Sequence, residues 1–171
     1  DMSRYEDWIE IFNANSFEVD LGGLFLSESL DDLDSWHIPT SYPDSTTIKP
    51  NSYLMFRADG LRRASVNSVG FMLNGTGGSL ALSYPNNGAM IILDSVSFPN
   101  MRNGFSYGRI EDADPSWKIF NAPTPDTSNT TSLSILGHPL SSSTFTIFPN
   151  PSEEYIFIMQ NGSSEASVKY E

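Results

Sequence analysis

The chain contains no cysteine, which removes disulfides, thiolate metal sites and cysteine nucleophiles together. Basic residues are scarce: 9 Lys and Arg stand against 21 Asp and Glu, a formal net charge of -12 over 171 residues. Such a field repels phosphate backbones and anionic bilayers, so nucleic acid is not an expected partner. No apolar run approaches the ~20 residues that a membrane-spanning helix needs. The opening Asp1-Met2-Ser3-Arg4 has no apolar core of a signal peptide, so none is expected in this segment. Histidine occurs only twice, as His37 and His138, far apart in sequence, and the second stands beside Pro139.

What remains is an ordinary globular composition, 39% hydrophobic and 12% aromatic, with 18% charged residues. That is enough apolar material for a core and little charge for a helix-rich protein. Short apolar runs broken by Gly, Pro, Asn, Asp or Ser clusters predict an all-β chain. In Trp8 to Asn13, Ile9 and Ile11 share one face, and Trp8, Glu10 and Phe12 share the other. Val19 and Leu21 lie on one side ahead of Gly22-Gly23, where a bulge or close backbone approach is expected. Leu54, Phe56 and Ala58 form an inward stripe that ends in an Asp59-Gly60 turn. Leu80, Leu82 and Tyr84 form another, ended by Pro85-Asn86-Asn87-Gly88. Ile91 to Phe98, Phe105 to Ile110 and Trp117 to Phe120 complete the set. Glu28 to Asp34 lacks a periodic apolar face and reads as an acidic loop or short 3₁₀ turn, with Ser27 as its cap.

From about Asn121 the composition turns to Ser, Thr and Pro. The expected organisation is a β-sandwich over 1–125, a linker over 126–144, and a small β appendage over 145–171. In the appendage, Phe145 to Phe148 and Tyr155 to Met159 read as strands joined by Pro149-Asn150-Pro151. An Asn161-Gly162 turn and Ala166 to Tyr170 follow.

The ordered series Asp7-Trp8-Ile9-Glu10-Ile11-Phe12-Asn13, Val19-Asp20-Leu21-Gly22-Gly23, Trp36-His37-Ile38-Pro39, Tyr53-Leu54-Met55-Phe56, Ser106-Tyr107-Gly108-Arg109, Trp117-Lys118-Ile119-Phe120 and Pro123-Thr124-Pro125 resembles the lamin tail domain in its bacterial extracellular form. The resemblance spans roughly Asp7 to Asn129 and implies an immunoglobulin-like antiparallel β-sandwich. Two departures are visible. Family members open with one more strand, so either the segment starts inside the domain or a sheet edge is left open here, and the glycine usual after Pro-Thr-Pro is Asp126. Phe145-Thr146-Ile147-Phe148-Pro149-Asn150-Pro151 with Tyr155-Ile156-Phe157-Ile158 resembles the start of the C-terminal sorting module of the type IX secretion system, which implies an extracellular or outer-cell-surface location.

No residue is assigned a catalytic, cofactor-binding or metal-binding role. Gly75-Thr76-Gly77-Gly78 lacks the lysine and following helix of a phosphate cradle and reads as a loop. Asp31, Asp32 and Asp34, like Glu111, Asp112 and Asp114, offer oxygen ligands for calcium but lack EF-hand spacing; they read as solvated loops. Arg109 is expected to pair with a carboxylate near a strand end. Trp8, Trp36 and Trp117, with Tyr42 and Tyr107, would form a sugar-stacking platform if exposed on one face, and core packing otherwise. Asn74, Asn129 and Asn161 fit the N-glycosylation sequon. The expected function is a non-catalytic interaction module of a secreted bacterial protein, protein-binding or structural, with no cofactor. A carbohydrate-binding module is the alternative. The partners expected are a protein or surface glycan, and the open edge offers self-association.

Overall fold

The computed structural model describes residues 7–60, 65–129, 146–148 and 156–160. The strands are β1 (Asp7–Asn13), β2 (Val19–Asp20), β3 (Phe25–Ser27), β4 (Trp36–His37), β5 (Thr47–Ile48), β6 (Ser52–Ala58), β7 (Gly78–Asn86), β8 (Ala89–Phe98), β9 (Ser106–Arg109), β10 (Trp117–Phe120), β11 (Thr146–Phe148) and β12 (Ile156–Gln160). A single helical turn, α1 (Pro43–Thr46), precedes β5. One sheet runs β11-β12-β1-β6 and a second runs β4-β3-β7-β8, with the ribbons β2-β5 and β9-β10 beside them. The chain is all-β and sandwich-like.

Alternation along β1 decides its two faces. Ile9 stands opposite Phe56 and Ile11 opposite Leu54 across the antiparallel β1–β6 pair. Ile9, Ile11 and Phe56 enter the core with Leu21, Leu26, Ile38, Ile48, Leu80, Leu82, Val96 and Phe98. Those last residues come from the facing sheet and its connections, so the core fills the space between the layers. The opposite face of β1 pairs Glu10 with Met55 and Phe12 with Tyr53. It too is closed: every residue of β1 is buried, and Trp8 and Phe12 form a second small cluster with Ala14, Tyr53, Met55 and Trp117.

The expected inward stripes at Phe56 and Ala58 and at Leu80 and Leu82 are buried as read, and Tyr84 packs against the same core. The β7–β8 ladder runs further than expected, pairing Pro85 with Met90 and Asn86 with Ala89. β3 pairs only with Ser83, Leu82 and Ala81 of β7, so no strand on that side requires the N–H that Pro85 lacks. The turn is Asn87-Gly88, at φ 49° and 84°. At the other end of the hairpin Gly78 lies opposite Phe98, and a Cβ there would stand 2.8 Å from the ring.

α1 has no counterpart in the sequence expectation, since one turn cannot show a periodic apolar face. Its signal is Pro43 at the first helical position, with Asp44 in the first turn. Thr46 anchors it by donating its hydroxyl to Asp20 Oδ1 at 2.6 Å. The strands expected around Pro149-Asn150-Pro151 are present as the antiparallel pair β11–β12. β12 also lies parallel to β1, with Ile9 to Asn13 in register with Ile156 to Gln160. The edge of β1 expected to be open is therefore occupied. The expected strand at Ala166 to Tyr170 and the sequon at Asn161 lie outside the described residues.

Candidate functional site

Among the described residues, the outer face of the β1–β6 pair carries a concavity lined by aromatic and acidic side chains. Phe12 on β1 and Tyr53 on β6 are cross-strand neighbours, their ring centroids 4.7 Å apart. They wall a concavity of about 600 Å³ completed by Ala14, Asn51, Asp112, Ala113, Asp126, Thr127 and Ser128. Three of these, Asn51, Ala113 and Asp126, have left-handed backbone, at φ 52°, 65° and 55°. For Ala113 this conformation is uncommon and costs energy.

Hydrogen bonds fix the walls. Tyr53 donates its hydroxyl to Asp112 Oδ2 at 2.8 Å, and the Asn129 N–H donates to Asp112 Oδ1 at 3.2 Å. Burial first, and then the Asp112 carboxylate, hold the Tyr53 hydroxyl well above the usual phenol range, so it remains a donor. Behind the wall, Glu10 is fully buried and its Oε1 accepts the Asp126 N–H at 2.8 Å. Burial, helped by the Asp126 and Asp112 charges, pushes the Glu10 carboxyl up to about 9, against the lowering effect of the Asp126 N–H. Glu10 is thus a neutral acid at pH 7. Asn129 is buried as well, its side-chain amide donating to the Arg109 carbonyl at 3.0 Å and its Oδ1 accepting from Thr124 at 2.6 Å. That commitment removes the Asn129 sequon as a glycan acceptor in the folded chain. Residues 126–129, at the start of the expected linker, are thereby fastened to the sandwich.

Arg109 pairs with Asp94 at 3.3 Å and donates to the Asp114 carbonyl at 2.7 Å. Its guanidinium lies 4.5 Å from the Trp117 ring centroid, and Trp117 stacks on Tyr107 at 5.5 Å. Burial pushes the Asp94 carboxyl up, and the Arg109 guanidinium and the Ser95 N–H oppose the rise. The cation is committed to packing. The three tryptophans do not share an exposed face. Trp8 is 1% exposed, Trp36 meets Phe56 edge-on at 5.7 Å, and Trp36 and Trp117 both pack against the main core. Tyr42 is exposed, immediately before α1.

His37 is exposed on β4, its ring 4.8 Å from Phe25; His138 lies outside the described residues. The sequence is expected to lack a nucleophile elbow, yet Gly104-Phe105-Ser106-Tyr107-Gly108 has the Gly-x-Ser-x-Gly spacing. A nucleophile elbow places its serine on an exposed strand-to-helix turn. Ser106 instead is buried and begins β9, opposite Phe120. Gly75 to Gly78 form a turn in which Asn74 Oδ1 accepts from the Thr76 N–H and hydroxyl, at 3.0 and 2.7 Å. Of the acidic runs, Asp31 and Asp32 are exposed and Asp114 caps the Ser116 N–H at 2.6 Å. Among the described residues no three His, Asp or Glu side chains gather closely enough to hold a metal ion.

No family model matches the chain, nor does any curated protein or solved structure.

Proposed function

We propose that this chain is a non-catalytic interaction module of a secreted bacterial protein, working at the cell surface or outside it, and that it binds protein through the Phe12–Tyr53 concavity. The observation that carries this reading is the lining of that concavity: two aromatic rings, the acids Asp112 and Asp126, and Asn, Ser and Thr side chains, with no base. Aromatic rings beside carboxylates favour a cation, and the net charge of -12 steers one inward. A lysine or arginine side chain of a partner protein has the chemistry to fill it.

The bacterial lamin-tail resemblance, with its immunoglobulin-like sandwich, belongs to the same proposal. The left-handed backbone at Asp126 supports it, because that is where the family carries glycine. The type IX sorting resemblance supplies the extracellular placement. No described helix is long and apolar enough to cross a membrane.

The test is an array of lysine- and arginine-rich peptides, acidic peptides and glycans probed with the whole chain. Selective retention on basic peptides, weakened by Asp126→Asn and by Tyr53→Phe, is expected. Selective retention on glycans would overturn the reading in favour of a carbohydrate-binding module.

A further inference from the structure

We propose that the outer edge of β1 is a strand-acceptor site for an extended, apolar, acid-free segment of a partner protein, and that β12 is its exchangeable resident. The inference rests on the interaction-module reading and names a second way in which the module engages.

With β12 seated, β1 is buried along its whole length, so the amides and carbonyls that it turns away from β6 are shielded from water and need protein partners in that state. β12 supplies them by main-chain pairing from Ile9 to Asn13. Backbone pairing of this kind asks of the incoming strand an extended conformation and a compatible alternation of side chains, not one sequence. The resident is not a neighbour in the chain. It reaches β1 from Asn129 across the Ser-, Thr- and Pro-rich stretch 130–145 and β11, and it pairs in the parallel sense. Because β12 belongs to the same chain, its pairing with β1 is intramolecular, and a covalently joined strand acts at an effective concentration on the order of millimolar. A free strand making the same contacts therefore loses to β12 at micromolar concentration and gains the site once β12 is removed or outbid.

β6 is a different kind of neighbour. It pairs antiparallel with β1 along all seven residues and carries Phe56 into the core, so its departure would open the sandwich. The two-stranded β11–β12 hairpin is marginal by itself; its backbone pairs outside the hairpin go to β1, and it also lies against β8 and β9. The resident sequence Ile156-Phe157-Ile158-Met159-Gln160 is uncharged, as a strand entering a field of -12 should be.

The probe is a fluorescent peptide with the sequence of residues 155–161, added to the full chain and to its Phe157→Pro/Ile158→Pro variant. Consecutive strand residues point their N–H groups to opposite edges, so two adjacent prolines remove a donor on each. Three results are expected. The β1 amides facing β12 exchange at least tenfold faster in the variant. The peptide binds the variant at least tenfold more tightly than the wild type and restores slow exchange. A peptide carrying the same two prolines does neither. Equal protection of β1 in both proteins, or a folded variant that ignores the peptide, would overturn the proposal. Should the variant fail to fold, a protease site inserted within 130–145 serves instead. Cutting the folded chain and diluting it should let the labelled peptide replace the released hairpin, and a cut chain that neither releases the hairpin nor takes up the peptide would overturn it equally. Loss of this site with basic-peptide binding intact refutes the strand acceptor alone. Strand uptake without basic-peptide binding refutes the concavity instead.

Discussion

The Asp126 N–H donates to Glu10 Oε1 at 2.8 Å, joining the segment after β10 to the middle of β1. Glu10 lies fully buried beneath it, facing the Asp112 and Asp126 charges. Its carboxyl is raised from 4.5 to about 9, so the folded chain holds a proton that the unfolded chain releases above pH 4.5. The stability this provides is complete below pH 4.5 and is lost as pH rises toward 9, by at most about 1.4 kcal/mol per pH unit. Glu10→Gln keeps an acceptor for Asp126 and removes the ionisation. Urea unfolding between pH 5 and 9 should show the variant gaining on the wild type as pH rises; parallel curves would contradict the assignment.

Asp126 itself holds φ 55°, a conformation that glycine adopts freely and alanine resists by about 1–2 kcal/mol. Asp126→Gly should therefore be more stable than Asp126→Ala by about 1 kcal/mol. Both substitutions remove the carboxylate, so the comparison isolates the backbone. Equal midpoints in urea would show that the turn is not strained.

The Arg109–Asp94 pair, both side chains under 10% exposed, predicts a large asymmetry. Asp94→Ala leaves a guanidinium buried against Trp117 without its carboxylate and should cost about 3–5 kcal/mol. Arg109→Met with Asp94→Leu, which removes both charges and keeps the bulk, should cost much less. Equal losses, measured by chemical unfolding, would contradict the pairing.

Gly88 at φ 84° has open space around its Cα, so Gly88→Ala meets no steric clash. Its cost, about 1–2 kcal/mol, comes from the left-handed backbone alone, and Asn87→Gly should be nearly neutral. Thermal melting of the two variants separates the contributions.

Much of this arrangement is legible in the sequence, and the remainder is hidden for identifiable reasons. Alternation in Trp8 to Phe12 and in Leu54 to Ala58 announces two strands and assigns their inward residues. It does not announce that the outer face, with Glu10 and Phe12, is also buried. The cover comes from Asp126 to Asn129, whose Ser, Thr and Pro surroundings signal a linker. The concavity draws on four separated stretches, around Phe12, Tyr53, Asp112 and Asp126, and no local pattern encodes their meeting. The β1–β12 pair is parallel and crosses most of the chain, so neither turn chemistry nor periodicity could register it.

The most direct test of the recognition reading is a backbone chemical-shift titration of the whole chain with a lysine-rich peptide. Shifts confined to Phe12, Tyr53, Asp112 and 126–128, weakened in Asp126→Asn, are what the lining of the concavity predicts. A titration that leaves those resonances still, or moves them no more than the rest of the acidic surface, would contradict it.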